Sequence, residues 1–228
     1  MKSKTIVALI PIKENSERIP NKNIKKIAGR PLCQWIVQTL LNVSEVKKIV
    51  INTDSQKIAK LCSINKKVIV HKRPQHLIGD FVSMNKIIEY ELNCLKENFF
   101  LQTHATNPLL KTETISRAIH SFFGKESDYD SLFSVTKLYT RLYNQNHKPI
   151  NHNPYDLIRT QDLEPVYEEN SNLYLFSKKS FYKNNNRIGN NPKLFIINAL
   201  ESVDIDEKDD FLFSEYLLKK TKSANESK

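Results

Sequence analysis

An apolar run of strand length, Ile6–Ile10, stops at Pro11 and opens onto a polar loop. That loop carries Lys13, Arg18 and Lys22, with Asn15, Ser16 and Asn23 between and beside them, and Pro20 closes it. The next helix pattern starts only after Gly29-Arg30-Pro31. A strand that feeds a basic loop and then a helix is how α/β proteins present phosphate ligands at the carboxyl end of a sheet. Three further polar segments fall in the same kind of place, each directly after an expected strand: Arg73-Pro74 with Asp80–Ser83, His104–Leu109, and Ser202–Asp206. His104 offers one hydrogen-bond donor when neutral and an attraction for acids when protonated. Asp204 and Asp206 stand just before the last helix pattern, where the dipole favours carboxylates.

The elements that must hold these residues follow from hydrophobic period. Thr5–Ile10 reads as a buried central strand, apolar at nearly every position. Pro31–Leu41 is a helix begun by proline. Lys48–Asn52, Lys67–Val70, Asn98–Gln102 and Ser131–Thr136 are further strands. Between them lie a helix capped by Ser55 through Ser63, one over Val82–Lys96, and one capped by Thr112 through Phe123. This alternation predicts an α/β fold: a Rossmann-like, mostly parallel sheet covered by helices on both faces. The rhythm breaks over Lys137–Pro165, which is rich in Asn and His; a connection this long is usually functional or an inserted arm. Asn172–Phe176 restores strand character and Ser177–Tyr182 a helical turn. Asn184–Asn186 and Gly189–Pro192 mark an exposed loop. Leu194–Asn198 is the last strand, Glu207–Lys219 an amphipathic helix, and Thr221–Lys228 a frayed tail.

The chain has 228 residues, which predicts a single domain over 1–228 with a small appendage. A formal charge of +10 favours an anionic partner. The sequence lacks an arginine-rich helix, zinc-finger spacing and aromatic RNA-binding motifs, so no nucleic-acid partner is expected. Cys33, Cys62 and Cys94 fall in separate helix patterns and read as buried free thiols of a reducing, cytoplasmic protein. No apolar run approaches a membrane span, and the N-terminus enters a strand without a signal-peptide pattern.

Taken together with Gln161–Asn170, these segments resemble the acylneuraminate cytidylyltransferase family, the CMP-sialic-acid synthetases and their relatives. The resemblance runs from about residue 4 to about residue 215. It implies the nucleotide-diphospho-sugar transferase type of fold, with Lys137–Pro165 as a dimerisation arm and hence a homodimer. It implies a reaction in which an acidic sugar's hydroxyl attacks the α-phosphorus of CTP and pyrophosphate leaves. The first-loop pattern falls on Lys13, Asn15, Ser16, Pro20, Lys22 and Asn23. Lys22 would neutralise the triphosphate in the transition state. Arg73 and Ser83 match nucleotide-side residues. Asp204 and Asp206 match an Asp-x-Asp that holds Mg²⁺, an ion that needs only one or two carboxylates beside phosphate oxygens. His104, Thr106, Asn107, Glu169 and Asn170 match the acceptor side.

The chain departs from the family pattern in three places. The first loop is usually glycine-rich, whereas here Glu14 and Glu17 stand in it and no glycine precedes Gly29. Carboxylates beside a triphosphate repel it unless they turn outward or meet metal. His104 occupies the position of a glutamine that contacts the acceptor, and Glu168 a position where some sialic-acid enzymes carry arginine. The acceptor therefore stays open between a nonulosonic acid, another ulosonic acid and a phosphonate. A nucleotide-binding module without turnover and a basic RNA-binding domain are the rival readings.

Overall fold

The first strand, β1 (Ile6–Ile12), is buried along its whole length. Its side chains alternate between two cores, as the two-residue period of a strand requires. Ile6, Ala8, Ile10 and Ile12 face one hydrophobic cluster, and Val7 and Leu9 face the other. This explains the unbroken apolar run: a central strand with helices on both sides has no wet face. The computed structural model describes residues 5–124 and 128–226.

The other elements follow in order: β2 (Lys26–Ile27) and β3 (Arg30–Pro31), a small hairpin; α1 (Leu32–Leu41), β4 (Val46–Thr53), α2 (Gln56–Cys62), β5 (Val68–Lys72), α3 (Met84–Cys94), β6 (Phe99–Thr103), α4 (Thr112–Phe122), β7 (Ser131–Leu138), β8 (Val166–Ser177), α5 (Lys178–Asn184), β9 (Pro192–Ile196) and α6 (Lys208–Glu226). The hairpin turns at Ala28 and Gly29, both at positive φ, as a two-residue turn requires. The main sheet has the order β5-β4-β1-β6-β8-β7-β9. β8 runs antiparallel to β6 and β7, and the remaining pairs are parallel. After β1 the chain first adds β4 and β5 on one side, then crosses to place β6 on the other. Loops at the carboxyl ends of β1 and β6 therefore flank the switch point at which open α/β sheets bind ligands.

A third cluster joins Ile19, Ile27, Leu32, Ile205, Phe211 and Leu218. It packs the first loop against α6 and the segment before it, bringing residue 205 onto residue 22. Ser55 caps α2 by accepting from the Ile58 amide, as its position predicts.

Several expectations are corrected. Thr112 does not cap α4: it is the first helical residue, and its hydroxyl donates to the Thr39 carbonyl at 3.2 Å. β8 starts at Val166, well before the expected strand at Asn172. α6 runs past Lys219 to Glu226, and residues 227 and 228 of the expected tail lie outside the described residues. Cys33 and Cys62 are buried free thiols, but Cys94 is exposed. Beyond β7 the chain from 139 to 165 forms an exposed excursion with a Tyr143–Pro149 bridge and a 3-10 turn at Thr160–Asp162. Among the described residues no helix is long and apolar enough to cross a membrane.

Candidate active site

A cleft of about 320 Å³ opens at the switch point. Its wall includes Lys13, Asn15, Ser16, Lys22, Asn23 and Arg73 from the nucleotide-side expectation. His104, Thr106 and Asp206 share the same wall. Residues from four separate loops thus converge, as their common place after strands predicts.

Lys22 opens a 3-10 turn, entered through Asn21 at φ 59. Its side chain is buried. The ammonium donates to the Ile205 carbonyl at 2.5 Å and to Asp206 Oδ1 at 3.2 Å. Arg18 meets the same carboxylate at 2.8 Å and Glu207 at 3.2 Å. Asp206 therefore carries two cations. Its charge, with Glu207, holds the Arg18 guanidinium above its ordinary pKa. Capping of α6 falls to Asp210, whose Oδ2 accepts from the amides of Asp206 and Glu207 at 3.0 and 2.7 Å. This leaves the Asp204 and Asp206 side chains free of the helix-cap role.

Asp204 lies behind the cleft wall. Burial, reinforced by the negative charges of Asp206 and Asp210, raises its pKa, while a hydrogen bond with Thr106 and the charge of Lys22 oppose the rise. Its Oδ1 is buried without a partner. An orphaned carboxylate oxygen beside a second carboxylate fits a hard cation. No cluster of three or more His, Cys, Asp or Glu able to hold a metal exists among the described residues. That donor set suits Mg²⁺, which takes few protein ligands and completes its shell with phosphates and water.

The glutamates of the first loop divide. Glu14 turns away from the cleft: its amide donates to Asp54 and its carboxylate accepts from Ser55, each at 2.8 Å. Glu17 stays on the wall. Lys13 bridges the mouth to Asp80 at 2.6 Å, and this contact holds Asp80 below its usual range. Asn23 donates to the Lys13 carbonyl at 3.0 Å, fixing the loop's exit.

Arg73 is buried at the end of β5. Its Nε donates to Asn52 Oδ1 at 2.6 Å and its Nη2 to the Asn52 carbonyl at 3.0 Å. Burial lowers its pKa, against the charges of Asp54 and Glu91. The Asn52 amide in turn donates to Glu91 at 2.6 Å, and Glu91 also meets His71 at 2.6 Å. Sequence reasoning missed Glu91. The available signal was its place on the buried stripe of α3 with Ile87, Ile88 and Leu92, where a carboxylate needs a reason.

His104, expected on the acceptor side, lines the cleft wall. Arg187, from the loop after α5, donates to Gln102 Oε1. An arginine can only donate, so the Gln102 amide nitrogen faces His104 Nε2 at 3.0 Å. That ring nitrogen must accept, which leaves Nδ1–H as the donor of a neutral imidazole. Burial and the positive charges of Arg187 and Lys22 hold His104 down to about 4, with Asp206 opposing. The protonated alternative is thereby corrected near neutral pH. Arg187 was also missed; its loop reads as an exposed Asn-rich turn.

Besides Asp204, four expected site residues do not line the cleft. Ser83 is exposed and caps α3, accepting from the Asn85 amide. Asn107 is fully buried and ties its loop to the Val203 carbonyl at 3.5 Å. Asn170 fits between Ser134 and Thr136 of β7, within 2.6 and 3.1 Å. Glu169 accepts from the Tyr174 hydroxyl. Both lie at an irregularity where Phe133 pairs with Tyr174 but Val135 pairs with Glu169. Ser171 within it sits at φ 57, and such bulges re-aim side chains beside sites.

A family model described as cytidylyltransferase matches residues 7–223. The chain belongs to the cytidylyltransferase family. It is 27% identical to the CMP-N,N'-diacetyllegionaminic acid synthase of Legionella pneumophila, over 96% of this chain and 98% of that one. It is 29% identical to N-acylneuraminate cytidylyltransferase A of Danio rerio, over 90% of this chain but only 49% of the longer relative. Among solved structures, CMP:2-keto-3-deoxy-manno-octonic acid synthetase complexed with CTP superposes with a TM-score of 0.72 at 14% identity, covering 95% of this chain and 99% of that chain. The fold is therefore that of the cytidylyltransferase structures, with one antiparallel strand in the sheet.

Proposed function

We propose that this chain transfers the cytidylyl group of CTP to an acidic sugar of the nonulosonic or ulosonic class and releases pyrophosphate. The observation that carries this reading is the Lys22 ammonium, buried at the switch-point cleft and held against residues 205 and 206. Family membership and the relatives' printed activities support it.

In this reading the acceptor hydroxyl gives up its proton to water and attacks the α-phosphorus, an O–P bond forms, and the bond to the β-phosphate oxygen breaks, releasing pyrophosphate. Lys22 and Arg73 supply fixed positive charge where phosphate charge develops, the largest kind of stabilisation a dry site offers. Asp204 and Asp206 would hold Mg²⁺. The ion, when bound, lowers the acceptor hydroxyl's pKa and offsets charge on the leaving pyrophosphate. Asn15, Ser16 and Asn23 take the place of loop glycines as phosphate-side hydrogen-bond partners. His104 Nδ1–H and Thr106 orient the acceptor. A CTP-consuming reaction of this kind belongs in the cytoplasm. The excursion from 139 to 165 exposes Tyr155 at 95%, Leu157 at 87% and Ile150 at 61%. Apolar side chains grouped this way mark an interaction surface, and we assign it to a second copy.

Pyrophosphate release from CTP, measured against a panel of such acids with Mg²⁺ present, tests the reaction. Lys22→Ala is expected to lower kcat by at least ~100-fold, the scale of losing one preorganised stabiliser. CTP-dependent thermal stabilisation with no turnover on any acid would instead mark a binding module.

A further inference from the structure

The acceptor side holds a cation that the reaction above does not use. Arg187 is half-buried, and its guanidinium stacks 3.6 Å over the Tyr174 ring. One nitrogen donates to Gln102. Among the described residues no carboxylate lies within ion-pair distance of it. The groups that favour its charge are the Tyr174 hydroxyl, which also hydrogen-bonds it, and Glu169, whose oxygen is itself engaged by that hydroxyl. A guanidinium partly withdrawn from water without a carboxylate in direct contact is costly. It is retained here by a built loop. Asp130 accepts from the amides of Asn190 and Asn191 at 2.8 and 3.1 Å. Gly189 donates to Ser131 at 2.8 Å. A Cβ at Gly189 would come within 2.1 Å of Asp130 Oδ1, so only glycine fits this turn. The Arg187 amide meets Asn85 of α3 at 3.4 Å.

Position supplies the second half of the inference. Gln102 bridges Arg187 to His104, which lines the cleft. The cation therefore stands one amide beyond the acceptor-side wall. We propose that Arg187 is a specificity-determining residue that pairs with an anionic group of the acceptor, with the neutral His104 as the neighbouring hydroxyl or carbonyl ligand. Burial lowers the Arg187 pKa, with Tyr174 and Glu169 opposing. A guanidinium with free N–H groups binds a carboxylate through paired hydrogen bonds, whereas an ester or amide returns only part of that interaction. The inference rests on the acidic-sugar reading and adds the group that enforces it.

The test compares free acids with their methyl esters as acceptors. The probes are N-acetylneuraminate, N,N'-diacetyllegionaminate, pseudaminate and 2-keto-3-deoxy-manno-octonate, assayed with CTP and Mg²⁺. Wild type is expected to prefer the acid it uses over its ester by about 100-fold in kcat/KM, the range of a charged hydrogen-bond pair. Arg187→Met should raise KM for the acid by at least ~30-fold and erase the preference, leaving KM for CTP within about twofold. Arg187→Lys should restore part of the preference, since charge without the planar fork keeps the attraction and loses the geometry. An acid-to-ester ratio unchanged in Arg187→Met overturns the inference, as does a loss that falls equally on CTP and acceptor. Wild-type inactivity with every acid overturns the functional reading itself, and the inference with it.

Discussion

The two halves of the cleft handle charge in opposite ways. On the nucleotide side most cations already have a carboxylate. Lys22 and Arg18 share Asp206, Arg18 also meets Glu207, and Lys13 meets Asp80. On the side we assign to the acceptor, Arg187 touches the Gln102 amide and the Tyr174 ring and has Glu169 only beyond ion-pair distance. Triphosphate must therefore exchange partners with protein carboxylates, which a metal ion can then take up. On our proposal, an acidic acceptor meets a cation with no direct ion pair to displace. The difference assigns adaptability to one half and preorganisation to the other.

Arg73 is the exception on the nucleotide side, and removing its support tests the contrast most severely. It is held by Asn52, and Asn52 is oriented by Glu91. Glu91→Ala strands a buried polar chain, and the expected cost is about 3 kcal/mol of unfolding free energy by denaturant titration. KM for CTP should rise about tenfold as Arg73 loses its fixed geometry, while the acid-to-ester preference stays. A change in that preference would mean that the halves are coupled through the sheet.

The next test uses pH. His104 is held down to about 4 in the fold, against about 6.5 in an unfolded chain. Between those values the unfolded state binds more protons, so stability rises with pH across that window and is lost as pH falls through it. The full difference amounts to no more than about 3.4 kcal/mol. Urea midpoints at pH 5 and pH 7.5 should differ in wild type, and His104→Gln should remove part of that difference. A steeper dependence in the variant would show that His104 is not the group buried neutral.

Much of the cleft wall was legible in the sequence because its residues sit in short polar segments directly after apolar strands. Lys22, Arg73, His104 and Asp206 reach the cleft from such segments. Ser83 and Asn107 belong to the same segments and Asn170 to Gln161–Asn170, but they cap, tie and fill the fold. Segment position cannot separate a side chain turned to the cleft from one turned to the backbone. The acceptor half was hidden for structural reasons. β8 begins with the polar run Tyr167–Asn170, which lacks a two-residue apolar period. Its bulge depends on Ser134, whose hydroxyl accepts from the Leu173 amide at 3.0 Å across strands. Arg187 is drawn inward only because Asp130 and Gly189 pin an otherwise exposed-looking loop. These contacts join residues distant in sequence, and no local period announces them.

The smallest expected effect sharpens the comparison at its weakest contact. The Lys13–Asp80 bridge is 2.6 Å long, yet both side chains are about half exposed, at 47% and 52%. Exposed pairs of this kind contribute little to stability because solvent screens them and ordering two side chains offsets the attraction. Asp80→Asn should therefore leave the melting temperature unchanged. It should instead free the Lys13 ammonium at the cleft mouth and lower KM for CTP about twofold, with the gain shrinking as salt is raised. That outcome would identify the bridge as a competitor for phosphate. A rise in KM on the same substitution would mean that Asp80 holds Lys13 in place for the nucleotide, so that even this exposed pair is preorganised and the contrast with Arg187 is one of degree.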